Sequence, residues 1–112
     1  SNKYAHIRIS QLRRIIMVNC INGTSGTGKT RKLLEYAKKE NAIVICQNAA
    51  AMQRKALAYE ILGLEIYDYN YAANLLMMGL GFGKKKVVVD EMSDFVNLLL
   101  QAECIGFSQT ED

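Results

Sequence analysis

The sequence predicts an α/β fold: a three-layer sandwich built on a mainly parallel sheet of four to five strands. Three short apolar runs, at residues 15–21, 43–46 and 87–89, are rich in β-branched side chains, as are strands buried on both faces. Segments in which apolar residues recur at helical spacing follow these runs along the chain. This alternation favours a parallel sheet with helices on both faces over other fold classes.

The remaining elements rest on local patterns. Residues 29–39 carry apolar side chains at helical spacing, which predicts the first helix. Residues 49–62 are alanine-rich and predict a second helix, with Gly63 as its C-terminal stop. Residues 64–69 alternate in polarity and predict a peripheral strand. Residues 71–80 are apolar nearly all round and lead into a glycine-rich loop.

Local patterns also predict the structure near both ends of the chain. Ser93 is expected to be the N-cap of a helix that runs to about Ala102. Residues 104–107 are a short strand candidate, and the polar residues 108–110 follow them. Residues 1–13 fit either a strand or a helix.

Length and composition describe one domain, which is expected to span residues 1–112. Half of the 112 residues are apolar, so the chain can bury a core without disulfides or a structural metal. A charged fraction of 22%, only eight glycines and no proline exclude collagen-like, low-complexity and linker-like chains. Three cysteines without a CxxC pair predict small buried hydrophobes and a reducing compartment. The sequence shows no signal peptide or membrane span, so a cytoplasmic location without a membrane partner is expected.

The net charge of +3 is unevenly distributed. Residues 1–39 carry nine basic side chains and one acidic one, whereas the rest of the chain carries five basic and ten acidic ones. A basic first half indicates an anionic ligand, either phosphate or nucleic acid. Solvated helix faces are the alternative explanation.

A glycine-rich motif favours phosphate. Residues 23–30, GTSGTGKT, match GxxxxGK[ST] after a predicted buried strand and before a predicted helix. The glycines let backbone N–H groups converge on phosphate oxygens, and the helix N-terminus adds partial positive charge. Lys29 is expected to reach the β- and γ-phosphates, and the Thr30 hydroxyl to bind Mg²⁺. The predicted phosphate-binding residues are Gly23, Thr24, Ser25, Gly26, Thr27, Gly28, Lys29 and Thr30.

With this motif the sequence resembles the P-loop NTPases, whose Walker A motif corresponds to residues 23–30. The resemblance extends to residues 87–90, VVVD, which look like the Walker B strand followed by its acid. It implies that Asp90 helps to hold Mg²⁺. It also implies ATP as the nucleotide, because the base-reading motif of Ras-type GTPases is absent.

Glu91 resembles the catalytic glutamate of the additional-strand division of this superfamily, which includes AAA-like, RecA-like and helicase-like ATPases. A carboxylate at this position orients the water that attacks the γ-phosphate, and Lys29 is the second expected catalytic residue. Alternatively, Glu91 caps the next helix from its first turn. In the same division a strand after Walker B ends in a polar sensor residue. The sensor candidates are Ser108, Gln109 and Thr110.

The distribution of basic residues limits the expected activity, because none follows Lys86. A small P-loop kinase is therefore the weaker alternative, since such kinases usually carry an arginine-rich lid. An arginine finger would have to come from upstream in the chain, from a neighbouring subunit of an oligomer, or from a partner. The expected function is ATP and Mg²⁺ binding with slow or partner-stimulated ATPase activity. The alternative is a nucleotide-binding regulatory or assembly module that does not hydrolyse.

A nucleic-acid partner is a further possibility that the sequence leaves open. Residues 43–58 loosely resemble a segment of helicase cores in which residues 53–55 would contact the nucleic-acid backbone, although a solvated helix face explains them as well. Tyr67, Tyr69 and Tyr71 indicate either a base-stacking surface or a half-buried edge strand. Measured against the family, 112 residues is short. The resemblance implies a minimal or truncated core without the usual last core strand and lid.

Overall fold

The computed structural model describes residues 20–21 and 28–110. Four helices and three strands alternate within these residues, so the predicted α/β class is confirmed. In chain order the elements are α1 (Lys29–Glu40), β1 (Ile43–Cys46), α2 (Ala49–Ala58), β2 (Ile66–Asp68), α3 (Tyr69–Met77), β3 (Val87–Val89) and α4 (Met92–Leu100). None of the helices in the described ranges is long and apolar enough to span a membrane.

The three strands form one parallel sheet in the order β2–β1–β3. Val44 of β1 is in register with Ile66 on one side and with Val88 on the other. All four residues of β1 are buried, as its unbroken apolar sequence predicts for a central strand. Because the strands run parallel, their carboxyl ends lie along the same edge of the sheet.

Helices cover both faces of this sheet. On one face, Leu34 of α1 and Met52 of α2 pack in a core cluster with Val44. On the other face, Tyr69 of α3 packs in a second cluster with Ile45, and α4 lies at its margin. The side chains of alternate β1 residues therefore pack on opposite faces of the sheet. Full burial of a side chain such as Leu34 contributes about 1.5–3 kcal/mol to the stability of the fold.

The described residues contain three strands, against the four to five predicted for the whole chain. Residues 1–13 and 15–19 lie outside the described residues, and residues 20–21 are not in a strand. The strand predicted at residues 104–107 is wrong, because this segment is irregular and its apolar side chains Ile105 and Phe107 are 92% and 85% exposed. A strand requires a pairing partner and a surface to pack on. Within the described residues no strand pairs with this run, and its apolar side chains are exposed.

Helix α2 ends four residues earlier than predicted. Glu60 adopts a left-handed conformation with φ of 60°, and the N–H of Ile61 donates to the carbonyl of Ala56 at 2.9 Å. This Schellman geometry ends the helix and brings Ile61 against the core. The stop is therefore at Glu60 and not at Gly63.

Helix α4 also begins and ends earlier than predicted. Its N-cap is Glu91, so Ser93 lies inside the helix and the prediction of a Ser93 cap is wrong. Its last residue is Leu100, because Gln101 takes a left-handed conformation with φ of 52°.

The three cysteines occupy different environments. Cys46 is 1% exposed and fits the prediction of a buried hydrophobe. Cys20 is exposed and Cys104 is half-buried, so the prediction fails for these two residues. Burial raises the pKa of the Cys46 thiol to about 11, which keeps it protonated at neutral pH.

Candidate functional site

Polar residues gather where the three parallel strands end. Asn48 comes two residues after β1, Asp68 is the last residue of β2, and Asp90 and Glu91 directly follow β3. Ligands of open parallel sheets bind outside the carboxyl ends of the strands. The side chains of Asn48 and Asp68 accept N-cap hydrogen bonds from α2 and α3. Asp90 and Glu91 are therefore the two carboxylates at this edge that could serve a ligand.

Helix α1 brings its amino end to the same region. Gly28 is the N-cap and has a left-handed conformation with φ of 76°, which glycine adopts without strain. Lys29 is the first helical residue, and Thr30 is half-buried beside it. The first turn of α1 contains no acidic side chain that would oppose an anion. The other predicted phosphate-binding residues, Gly23, Thr24, Ser25, Gly26 and Thr27, lie outside the described residues.

An ion pair joins α1 to the loop after β3. The Nζ atom of Lys29 lies 3.0 Å from Oε1 of Glu91. The two side chains are 30% and 50% exposed, so solvent limits the contribution of the pair to about 1 kcal/mol or less. The structure thus brings together the two residues that the sequence predicts to be catalytic.

Glu91 has an unusual backbone conformation. Its φ of 55° and ψ of 64° lie in the left-handed region, which costs a non-glycine residue about 1–3 kcal/mol. Its carbonyl oxygen accepts hydrogen bonds from the N–H groups of Asp94 and Phe95, which starts α4. Its carboxylate makes no capping hydrogen bond and pairs with Lys29 instead. Glu91 therefore occupies the N-cap position through its backbone alone.

Asp90 is half-buried beside this pair. Its N–H donates to the carbonyl of Ile45 at 2.9 Å, which fixes it at the end of the sheet. Burial raises the pKa of the Asp90 carboxyl above its ordinary value, and the negative charge of Glu91 raises it further. The positive charges of Lys55 and Lys29 oppose this shift. Lys55, for which the sequence predicts a nucleic-acid contact or a solvated face, thus has a charge that reaches Asp90.

Tyr69 also belongs to this region, although no sequence pattern connects it with the acids. Its hydroxyl lies 2.5 Å from the carbonyl oxygen of Asp90 and 3.1 Å from that of Glu91. Its ring is 6% exposed and packs against Phe95 with 5.1 Å between ring centroids. One property of the residue type could have pointed to Tyr69, because a buried tyrosine hydroxyl requires a hydrogen-bond partner.

The sensor candidates are not placed as expected. Ser108, Gln109 and Thr110 are exposed and lie in an irregular segment. The strand that was expected to precede and position them does not form.

Two side chains at this edge of the sheet carry oxygen atoms that could hold Mg²⁺. No group of three histidine, cysteine or acidic side chains in the described part of the chain is arranged to hold a metal by itself. Mg²⁺ at nucleotide sites usually takes one or two protein ligands and completes its shell with phosphate oxygens and water. The Asp90 carboxylate and the Thr30 hydroxyl offer hard oxygen atoms of this kind.

Comparison of the chain with protein-family models, with curated proteins and with solved structures found no significant match. Its function must therefore be inferred from the residues at the carboxyl ends of the strands.

Proposed function

We propose that this chain binds ATP with Mg²⁺ at the carboxyl ends of its parallel strands and hydrolyses it slowly or under stimulation by a partner. The observation that carries the proposal is the 3.0 Å contact between Lys29 and Glu91, directly beside Asp90. Lys29 lies within a GxxxxGK[ST] sequence and begins a helix, and the two acids follow a parallel strand. Enzymes that hydrolyse ATP use a cation on the phosphates, ligands for Mg²⁺ and a group that orients the attacking water.

The phosphates would be held by the amino end of α1. The partial positive charge of a helix N-terminus attracts anions, and Lys29 adds a full charge. Asp90 and Thr30 would hold Mg²⁺, which neutralises charge on the β- and γ-phosphates when it is bound. The cost of ionising the half-buried Asp90 would then be offset by the metal.

Glu91 would orient the attacking water and accept its proton. In the structure its carboxylate is occupied by Lys29. Phosphate oxygens bound to Lys29 would replace Glu91 as the partner of this cation. The carboxylate would then be released to the water when the nucleotide is present.

Single-turnover hydrolysis of ATP by the wild-type chain, Lys29→Ala and Glu91→Gln tests the proposal. Lys29→Ala is expected to lose binding. Glu91→Gln is expected to bind ATP but to release phosphate about 100-fold more slowly, which is the usual effect of removing a positioned acid–base group. Equal phosphate release by all three proteins would refute the ATPase activity.

A non-hydrolysing nucleotide-binding module is the second candidate. The observation in its favour is that no basic residue follows Lys86, so the C-terminal part supplies no arginine finger. It predicts stabilisation by Mg-ATP of about 2.7 kcal/mol at 100 times the Kd. It also predicts no turnover at high protein concentration or with added nucleic acid. Stimulated turnover under either condition would exclude the non-hydrolysing module. Phosphorylation of an added nucleoside would instead indicate the kinase alternative.

A further inference from the structure

We propose that Tyr69 is a positioning residue that holds the turn at Asp90 and Glu91, so that the Glu91 carboxylate stays directed at Lys29 and the nucleotide site. The catalytic consequence of this role rests on the proposed function. The role in holding the turn does not.

The hydroxyl of Tyr69 contacts both peptide groups that flank the Cα atom of Glu91. The carbonyl oxygen of Asp90 belongs to the peptide before this atom, and that of Glu91 belongs to the peptide after it. The two distances are 2.5 and 3.1 Å, so one O–H group is shared between the two acceptors. Fixing both peptide planes fixes φ and ψ of Glu91, and these angles set the direction of its side chain.

The conformation of Glu91 needs such support. A φ of 55° is unfavourable for a residue with a Cβ atom, and such residues persist where surrounding contacts hold them. The start of α4 supplies some of these contacts through the N–H groups of Asp94 and Phe95. Tyr69 supplies a contact from a different element.

Tyr69 reaches the turn from across the sheet. It is the first residue of α3 and directly follows β2, which is separated from β3 by β1. Its ring is buried among Ile45, Ala72 and Phe95, which leaves the hydroxyl little freedom to move. Burial also raises the pKa of the hydroxyl above its ordinary value, so it remains a hydrogen-bond donor over the physiological range.

The first test needs no nucleotide. A zero-length carbodiimide cross-link between Lys29 and Glu91, quantified by mass spectrometry, reports whether the carboxylate lies against the ammonium group. The Lys86–Glu40 pair, whose atoms are 2.9 Å apart, serves as the internal reference. Tyr69→Phe keeps the buried ring. It is expected to lower the ratio of the Lys29–Glu91 cross-link to the Lys86–Glu40 cross-link about threefold or more, because the turn samples other conformations. An unchanged ratio overturns the proposal.

Tyr67→Phe is the matched control. It also removes one tyrosine hydroxyl, which donates to Glu65 at 3.0 Å and does not contact the turn. The cross-link ratio is expected to stay at the wild-type value. An equal fall in this control would mean that loss of any nearby hydroxyl disturbs the pair, which contradicts a specific role for Tyr69.

A double variant keeps the proposal testable if Tyr69→Phe folds poorly. Glycine accepts the left-handed conformation by itself, so Glu91→Gly should make the turn independent of the tyrosine. The loss of stability caused by Tyr69→Phe is expected to be smaller in the Glu91→Gly background than in the wild type. Additive losses would contradict the proposal.

The last test addresses the nucleotide site. Tyr69 also holds the peptide of Asp90, the proposed Mg²⁺ ligand. Tyr69→Phe is therefore expected to raise the Kd for Mg-ATP about tenfold, a coupling typical of groups that orient metal ligands, and to leave the Kd for ATP in EDTA within about twofold. A merely structural role would raise both values equally, and that result would overturn the assignment. If the wild-type chain binds neither form, the proposed function fails, and the cross-link ratio still decides whether Tyr69 holds the turn.

Discussion

If the proposed function holds, Lys29 must change its partner when phosphate binds. In the structure its ammonium group lies against Glu91, so a bound phosphate would compete with a carboxylate for the same cation. Both side chains are partly exposed, and water weakens the pair. The ion pair is therefore weak enough for the proposed nucleotide to displace.

Glu91→Gln is expected to tighten the binding of ATP while it slows hydrolysis. Removal of the competing charge returns the energy of the ion pair, up to about 1 kcal/mol, which corresponds to a Kd about two- to fivefold lower. Calorimetric titration with Mg-ATP measures this change. Glu35→Gln is the matched control, because it removes the same charge from an exposed pair with Arg31 on α1. Weaker binding by Glu91→Gln than by this control would contradict the competition.

The sequence identifies the charged residues of the site more readily than the residue that supports them. Lys29 lies within a short motif, and Asp90 and Glu91 are consecutive, so local spacing is enough to find them. Tyr69 enters the site through hydrogen bonds from a different strand–helix junction. A contact of this kind depends on strand order, which no local pattern reports.

At the level of elements, all four described helices end in the same way. In each, a residue in the left-handed conformation follows the helix, and the next N–H reaches back to close a Schellman motif. Only one of these residues is glycine. The left-handed residues are Asn41, Glu60, Gly79 and Gln101.

Introducing glycine at one of these helix ends and removing it from another should change the free energy of unfolding in opposite directions. Glu60→Gly is expected to raise the free energy of unfolding by about 0.5–1 kcal/mol, because it relieves the left-handed strain. Gly79→Ala is expected to lower it by about 1 kcal/mol through strain alone, since a Cβ atom there would meet nothing within 4 Å. Urea unfolding measures both changes.

Ala58→Gly in α2 is the control for a general effect of glycine. It lies within the helix, where glycine costs about 0.5–1 kcal/mol relative to alanine. If Glu60→Gly destabilised the protein as much as this control does, the left-handed residue would not be a site of strain.

The sequence predicts the position of elements better than their ends. Strands β1 and β3 have the predicted bounds, because each is a continuous β-branched run. The end of α2 depends on Glu60 accepting a glycine-like conformation, which its residue type does not indicate. Residues 104–107 have strand-like composition, but composition cannot show that a partner strand is available.

At the scale of the whole molecule, two buried groups that lose protons at high pH lie on opposite faces of the sheet. Cys46 belongs to the cluster with α1 and α2, and Tyr69 to the cluster with α3. Burial raises the pKa of both groups, that of Cys46 to about 11 from 9.0. Their neutral forms are therefore part of the packed core.

The fold should lose stability in alkaline solution because of this burial. An unfolded thiol loses its proton near pH 9 and the folded thiol only near pH 11, so the stabilisation is complete below pH 9 and declines as the pH rises to 11. One such proton gives a slope of about 1.4 kcal/mol per pH unit. Urea unfolding under reducing conditions between pH 8 and pH 11, with about half-unit steps, measures this slope. Cys46→Ala is expected to flatten it between pH 9 and pH 10, below the ordinary pKa of the Tyr69 hydroxyl, whereas Cys104→Ala, at a half-buried position, should retain it. Equal slopes in both variants would mean that the Cys46 thiol ionises as easily in the core as in water.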